Sequence, residues 1–234
     1  MRWRGLALSY SSYLFLGQDG EIHTRSSIRP FRQPAENSEV IAVSLSALRT
    51  EGTWRAVETP ITRNILSVPR GSIQWTCLQP RSEATLRIPH APPLTGLGYA
   101  ECLTLTIPPW ELPLTQLQWG RFLSQEHSLV WIDWQGPYNQ RLMFHNGKEC
   151  SAEKISEREI VMAGGTVLHL DCGRPLRNGK LGETILPATP ILHRFFPVAM
   201  FNVQECKWRS RGRLQIGDRE VPGWAIHEVV HWAR

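Results

Sequence analysis

Two acidic residues stand among large aromatic and aliphatic side chains, and any chemistry in this chain would begin with them. In Gly96-Leu97-Gly98-Tyr99-Ala100-Glu101, which runs on into CLTLTI, strand alternation puts Tyr99, Glu101, Leu103, Leu105 and Ile107 on one face. A carboxyl group on an otherwise apolar face loses its hydration. That favours the protonated form a general acid needs. A hydrated glutamate near the end of a strand is the other reading of the same segment. In Val130-Trp131-Ile132-Asp133-Trp134, Asp133 shares a face with Trp131, while Trp134 points the other way. An aspartate between two tryptophans either pairs with a structural partner, such as Arg121 or an indole N–H, or works inside a cavity. The run Leu117-Gln118-Trp119-Gly120-Arg121-Phe122 sets Trp119 and Arg121 on a common face and offers Arg121 as the natural counter-ion.

A third cluster, Gly223 to Trp232, places Trp224, Ile226, Glu228, Val230 and Trp232 on one face, with His227 and His231 on the other. Two histidines four apart on a strand are too distant to share an ion easily. The five cysteines, Cys77, Cys102, Cys150, Cys172 and Cys206, form no CxxC or Cys/His cluster. Neither a metal site nor a disulfide framework is therefore expected, and free buried thiols suit a reducing, cytoplasmic compartment. No P-loop, GxGxxG or GxSxG motif occurs, so nucleotide, dinucleotide and nucleophile-elbow chemistry lack support and no cofactor is expected.

The elements that would position these residues are strands. Period two dominates the chain. Ile73, Trp75 and Cys77 face opposite to Gln74 and Thr76, and Ala84, Leu86 and Ile88 alternate with Glu83, Thr85 and Arg87. Further strands are expected at Tyr99–Ile107, Leu117–Leu123, Ser128–Trp134, Gln140–His145, Val167–Asp171, Arg213–Ile216 and Trp224–Trp232. The turn signals Gly17-Gln18-Asp19-Gly20, Gly136-Pro137, Asn146-Gly147, Gly164-Gly165, Asn178-Gly179 and Gly217-Asp218 punctuate them. Short helices are expected only at Ser151–Met162 and Pro190–Asn202. Seventeen prolines and eighteen glycines fit a strand-and-turn protein, and ten tryptophans suit a wide core or ligand cavity. The N-terminal MRWRGLALSYSSYLFLGQ reads as a strand, not a signal peptide, because serines and tyrosines interrupt its apolar part. No stretch reaches the about 18 uninterrupted apolar residues of a membrane span.

A net charge of +5 without long blocks of one sign argues against nucleic acid as a partner. The basic run KWRSRGR, Lys207 to Arg213, is a solvated face that also suits peripheral contact with an anionic membrane. The segment His90 to Gly96 marks a boundary between a smaller N-terminal β unit, 1–94, and a unit of barrel size, 95–234.

The runs GLGYAECLTLTIPPWELP, LQWGRF and SLVWIDWQG resemble the lipocalin-like family of carotenoid 1,2-hydratases, tocopherol cyclases and AttH-type proteins. Diels–Alderases with paired lipocalin-like domains belong to the same broad group. The resemblance spans roughly residues 71 to 145 and extends more weakly to 234. It implies an all-β, antiparallel, calycin-type fold whose second barrel is complete and whose first is shortened or open. Glu101 matches the acid of the hydratase motif and Asp133 the aromatic-x-Asp motif, but Cys102 stands at the histidine position and Thr104 at a tryptophan position. The expectation is a hydrophobic, isoprenoid- or polyketide-like molecule bound in the second barrel and hydrated, cyclised or isomerised by proton transfer. Glu101 or Asp133 would be the acid, assisted by Tyr99 and tuned by Arg121. Trp110, Trp119, Trp131 and Trp134 would form the walls. A carrier or sensor of an apolar ligand is the alternative that the missing histidine favours.

Overall fold

The alternation becomes antiparallel sheet along most of the described residues. The computed structural model describes residues 2–3, 6–7, 11–16, 20–27, 39–184 and 197–232. Two N-terminal hairpins pair β1 (Arg2–Trp3) with β2 (Leu6–Ala7) and β3 (Ser11–Leu16) with β4 (Ile22–Ser27). Most of the Gly17–Gly20 turn between the latter lies outside the described residues. A five-stranded half-barrel follows, of β5 (Val40–Leu45), β6 (Thr50–Ala56), β7 (Ile61–Val68), β8 (Gly71–Arg87) and β9 (Leu94–Leu105). β8 is its spine. β9 runs along β8 from Ile73 to Leu86, so β6 and β7 must share the opposite edge. Register shifts around Gln79 bend β8 between these two partners. The fully buried Gln79 amide donates to the carbonyls of Glu39 and Trp54 there.

The second sheet is a nearly closed barrel. It comprises β10 (Gln116–Leu123), β11 (Ser128–Gln135), β12 (Gln140–His145), β13 (Lys148–Cys150) and β14 (Ala152–Ile155). It continues with β15 (Glu159–Met162), β16 (Val167–Leu170), β17 (Pro175–Lys180), β18 (Gln204–Ile216) and β19 (Arg219–His231). Its order is β13-β12-β11-β10-β19-β18-β16-β15-β14, with β17 also on β18. The hairpin between β12 and β13 turns on Asn146 and Gly147, both at positive φ as a two-residue turn of this hand requires. Where β12 meets β14 the ladder stops, and the Arg141 guanidinium donates across the seam to the carbonyls of Ala152 and Glu153.

Ser151–Met162, expected as a helix, is the β14–β15 hairpin. Ile155, Ile160 and Met162 point into the barrel core, and the Ser156 hydroxyl closes the turn by accepting the Glu159 N–H and donating to the Glu159 carbonyl. Of Pro190–Asn202, residues 190–196 lie outside the described set and Val198–Phe201 forms one helical turn, α2, after α1 at Leu181–Thr184. The chain does turn at residues 90–93. The strand beyond the turn pairs with β8, however, so sheet membership changes only after Leu105. No described helix is long and apolar enough to cross a membrane.

Two cores result. Phe122, Leu129, Trp131, Met143, Ile160, Leu168 and Leu214 fill the barrel, all but closed to solvent. The interior expected as a ligand cavity is thus packed. Trp131 lies over Gly120, where an added Cβ would come within 2.2 Å of the indole. The other core lies between the sheets: Ile61, Ile73, Trp75 and Cys77 of the half-barrel against Trp119, Ile132, Trp134 and Phe144 on the outer barrel wall. Each such buried side chain contributes about 1.5–3 kcal/mol.

Candidate functional site

β9 is the strand that leads to the site. Leu97, Tyr99 and Glu101 alternate onto the face that looks at the barrel wall. Cys77 of β8 lies opposite Glu101 in the ladder, and Trp75 opposite Leu103. The Trp75 indole N–H donates to Glu101 Oε2 at 2.7 Å, and the Tyr99 hydroxyl donates to the same oxygen. From the barrel, Arg121 of β10 brings Nη1 to 3.6 Å from Glu101 Oε1 and stacks its guanidinium 4.2 Å from the Tyr99 ring centroid. Trp119, two residues earlier on the same face, meets Trp75 edge to face with centroids 6.1 Å apart. Its indole N–H is buried without a hydrogen-bond partner.

These contacts set the electrostatics. Burial, and next the Glu101 carboxylate, raise the Tyr99 phenol well above its ordinary range, so it stays a proton donor. Burial likewise pushes the Cys77 thiol far up, so it is no nucleophile. Glu101 and Arg121 side chains each keep 27% exposure, so the pair is reachable from outside. Arg121 also lines a groove of about 450 Å³, with Leu97, Leu123, Arg209, Trp224 and Ile226 among its walls; Glu101 and Tyr99 are not part of that lining.

Next to Trp119 in the β10–β19 ladder stands Glu228. Burial raises its pKa while Lys207, 2.6 Å away, pulls it back. Lys207 also reaches Glu205, which Arg177 holds at 3.1 Å, so charges of alternating sign continue along the outer wall. The alternation of Trp224, Ile226, Glu228 and Val230 marked this face in the sequence. Nothing there announced the Trp75–Glu101 bond, which depends on the β8–β9 register.

Asp133 is not part of this group. Arg121 belongs to Glu101, and the expected Asp133–Arg121 pair does not form. In the β10–β11 ladder Arg121 stands opposite Val130 and Asp133 opposite Gln118, so the two side chains lie on opposite faces of the sheet. Asp133 is 5% exposed on the inner side, accepting from Arg141 Nε at 3.0 Å and Gln135 Nε2 at 2.8 Å. The tryptophans divide in the same way. Trp119 and Trp134 belong to the inter-sheet core, the latter donating to the Pro113 carbonyl, and Trp131 to the barrel interior. Trp110 lies half-buried on the 3-10 turn Pro109–Glu111 that joins the sheets. Among the described residues no three His, Cys, Asp or Glu side chains are grouped to hold a metal ion.

No family model matches the chain, and no curated protein sequence matches it. Solved structures do. Kievitone hydratase from Nectria haematococca superposes with a TM-score of 0.57 at 11% identity, over 96% of this chain and 80% of that one. CghA, alone and with Sch210972, gives 0.51 at 11% identity over 83% of this chain and 64% of its own. The likeness is one of fold, and the chain spans less than two thirds of CghA.

Proposed function

We propose that this protein is a hydratase, cyclase or isomerase acting on an apolar small molecule held in the groove beside Glu101, and that Glu101 with Tyr99 moves the proton. The observation that carries the reading is the convergence of Trp75, Tyr99 and Arg121 on one reachable carboxylate in an apolar wall. The fold likeness to kievitone hydratase supports the reaction class. Hydration needs no cofactor: a proton goes to one alkene carbon, water's oxygen bonds to the other, and that water's second proton returns to the protein. Tyr99 O–H gives the proton to the alkene carbon, the Glu101 carboxyl takes the one released by the added water, and transfer along the Tyr99–Glu101 hydrogen bond restores both groups. Arg121 pairs with Glu101 and holds its carboxyl group in place. Asp133 serves to hold Arg141 at the barrel seam.

A carrier without chemistry is the second reading, favoured because protein donors already engage both Glu101 oxygens. Kievitone separates the two. Incubated with the wild type it should gain one water by mass. Glu101→Gln should lower that rate by about 10²–10⁴-fold, and Asp133→Asn should reduce it only in proportion to the fraction unfolded. Kievitone recovered bound and unaltered favours the carrier, and equal rates for wild type and Glu101→Gln would refute the assignment.

A further inference from the structure

The basic run Lys207–Arg213 lies on β18, and alternation turns Lys207, Arg209, Arg211 and Arg213 to the outer wall while Trp208, Ser210 and Gly212 face the barrel core. The register with β19 sets Lys207 opposite Glu228, Arg209 opposite Ile226, Arg211 opposite Trp224 and Arg213 opposite Pro222. Lys207 is thus neutralised. Across the β19 ladder the three arginines have only apolar residues, while on the β16 side His169 stands opposite Arg213; no carboxylate side chain pairs with them among the described residues. Successive outward residues on a strand are about 7 Å apart, so these charges line one wall. Trp224 is 47% exposed, an unusual state for so large an apolar side chain, with Arg209 and Arg211 guanidiniums 4.6 and 5.6 Å from its ring centroid.

This wall is concave. The groove that begins at Arg121 shares Leu97, Leu123, Gln125 and Trp224 with a second groove of about 650 Å³, which continues past Arg211 and Arg213. Two carboxylates lie in the second groove. Asp171 accepts the backbone N–H of Arg211 at 3.1 Å, and Glu220 stands at the far end opposite Gln215. Between Arg121 and Arg213 the lining thus combines the apolar Leu97, Leu123 and Trp224 with a row of arginines, and its carboxylates, Asp171 and Glu220, lie in the second groove beside His169.

We infer that this extended groove takes an anionic amphiphile: an apolar body lying on Trp224 and reaching toward Glu101, with a carboxylate, phosphate or sulfonate held by Arg209, Arg211 and Arg213. The inference rests on the reading of the Arg121 groove as the substrate site, and it adds that this groove prefers an acidic ligand over its neutral analogue. An arginine fork binds such oxyanions through paired charge-assisted hydrogen bonds, and a neutral analogue forgoes them.

Anilinonaphthalene sulfonate and its unsulfonated parent phenylnaphthylamine differ by one anionic group. In fluorescence titrations the sulfonate should bind at least about tenfold more tightly, and the preference should shrink as salt rises. Arg209→Gln/Arg211→Gln should bring the ratio of the two affinities close to one, with circular dichroism confirming the fold. Arg213→Gln alone should reduce the ratio in part and guards against an unfolded double variant. Equal affinities in the wild type, or a ratio untouched by either variant, would overturn the inference. So would co-sedimentation with phosphatidylserine vesicles without any preference for the free sulfonate. No turnover enters this measurement: its failure with kievitone hydration intact removes the anion site alone, and the reverse outcome removes the chemistry alone.

Discussion

Glu101 draws its donors from three strands of two sheets: Trp75 on β8, Tyr99 on its own β9, and Arg121 on β10. One side chain therefore reports on how the sheets are placed. His227 is its counterpart inside the barrel. It is 3% exposed, stacked on Trp208 with centroids 5.1 Å apart, and 2.8 Å from the Ser210 hydroxyl. Burial pushes its pKa from 6.5 down to about 4. Between those values the unfolded chain binds the extra proton and the folded one does not, so stability rises with pH across that window. It is complete above 6.5 and lost as pH falls toward 4, by as much as about 3 kcal/mol. Urea midpoints measured through the window should show this slope, and His227→Gln should flatten it. A wild type whose midpoint does not fall there would contradict the neutral, buried imidazole.

At the scale of elements, register separates what could be read early from what could not. Alternation alone located β11, β12 and the polar–apolar faces of β9 and β10, because period two is a property of each strand by itself. The partner of Asp133 is not. The β10–β11 hairpin pairs residues whose numbers sum to an odd value, as Gln118 with Asp133 shows, so odd positions on one strand share a face with even positions on the other. Arg121 is thereby sent outward to Glu101 and Asp133 inward to Arg141. The helix expected at Ser151–Met162 fails for a related reason: its good helix formers also fit two short strands once Ser156 closes the turn. The Asp133–Arg141 pair lies where the ladder stops between β12 and β14. Asp133→Ala should cost about 2 kcal/mol, less than a fully buried pair because Arg141 is partly exposed. Hydrogen exchange should accelerate first in β12 and β14. Acceleration confined to other strands would show that the seam does not depend on this pair.

Over the whole molecule, the all-β architecture of antiparallel barrel-like sheets was legible, whereas the packing of the barrel interior was not. Whether a barrel encloses a cavity depends on how far its interior residues reach across it, and Trp131, Phe122 and Met143 reach far enough to fill this one. The outer wall became available because the half-barrel covers only part of it. Near the β10–β11 turn the two sheets are tied by Arg81, which donates to the Gln125 carbonyl and lies 2.9 Å from Glu58, and by Ser128, which donates to Glu58 at 2.5 Å. Beyond β9, Arg121, Trp224 and the arginines of β18 line an open groove. We propose that substrate binds there and not inside the barrel. A crystal structure of the protein with kievitone tests it most directly. The molecule should lie in the groove, against Trp224 and within hydrogen-bond reach of Glu101 or Arg121. Kievitone found within the barrel, against Trp131 and His227, would contradict it.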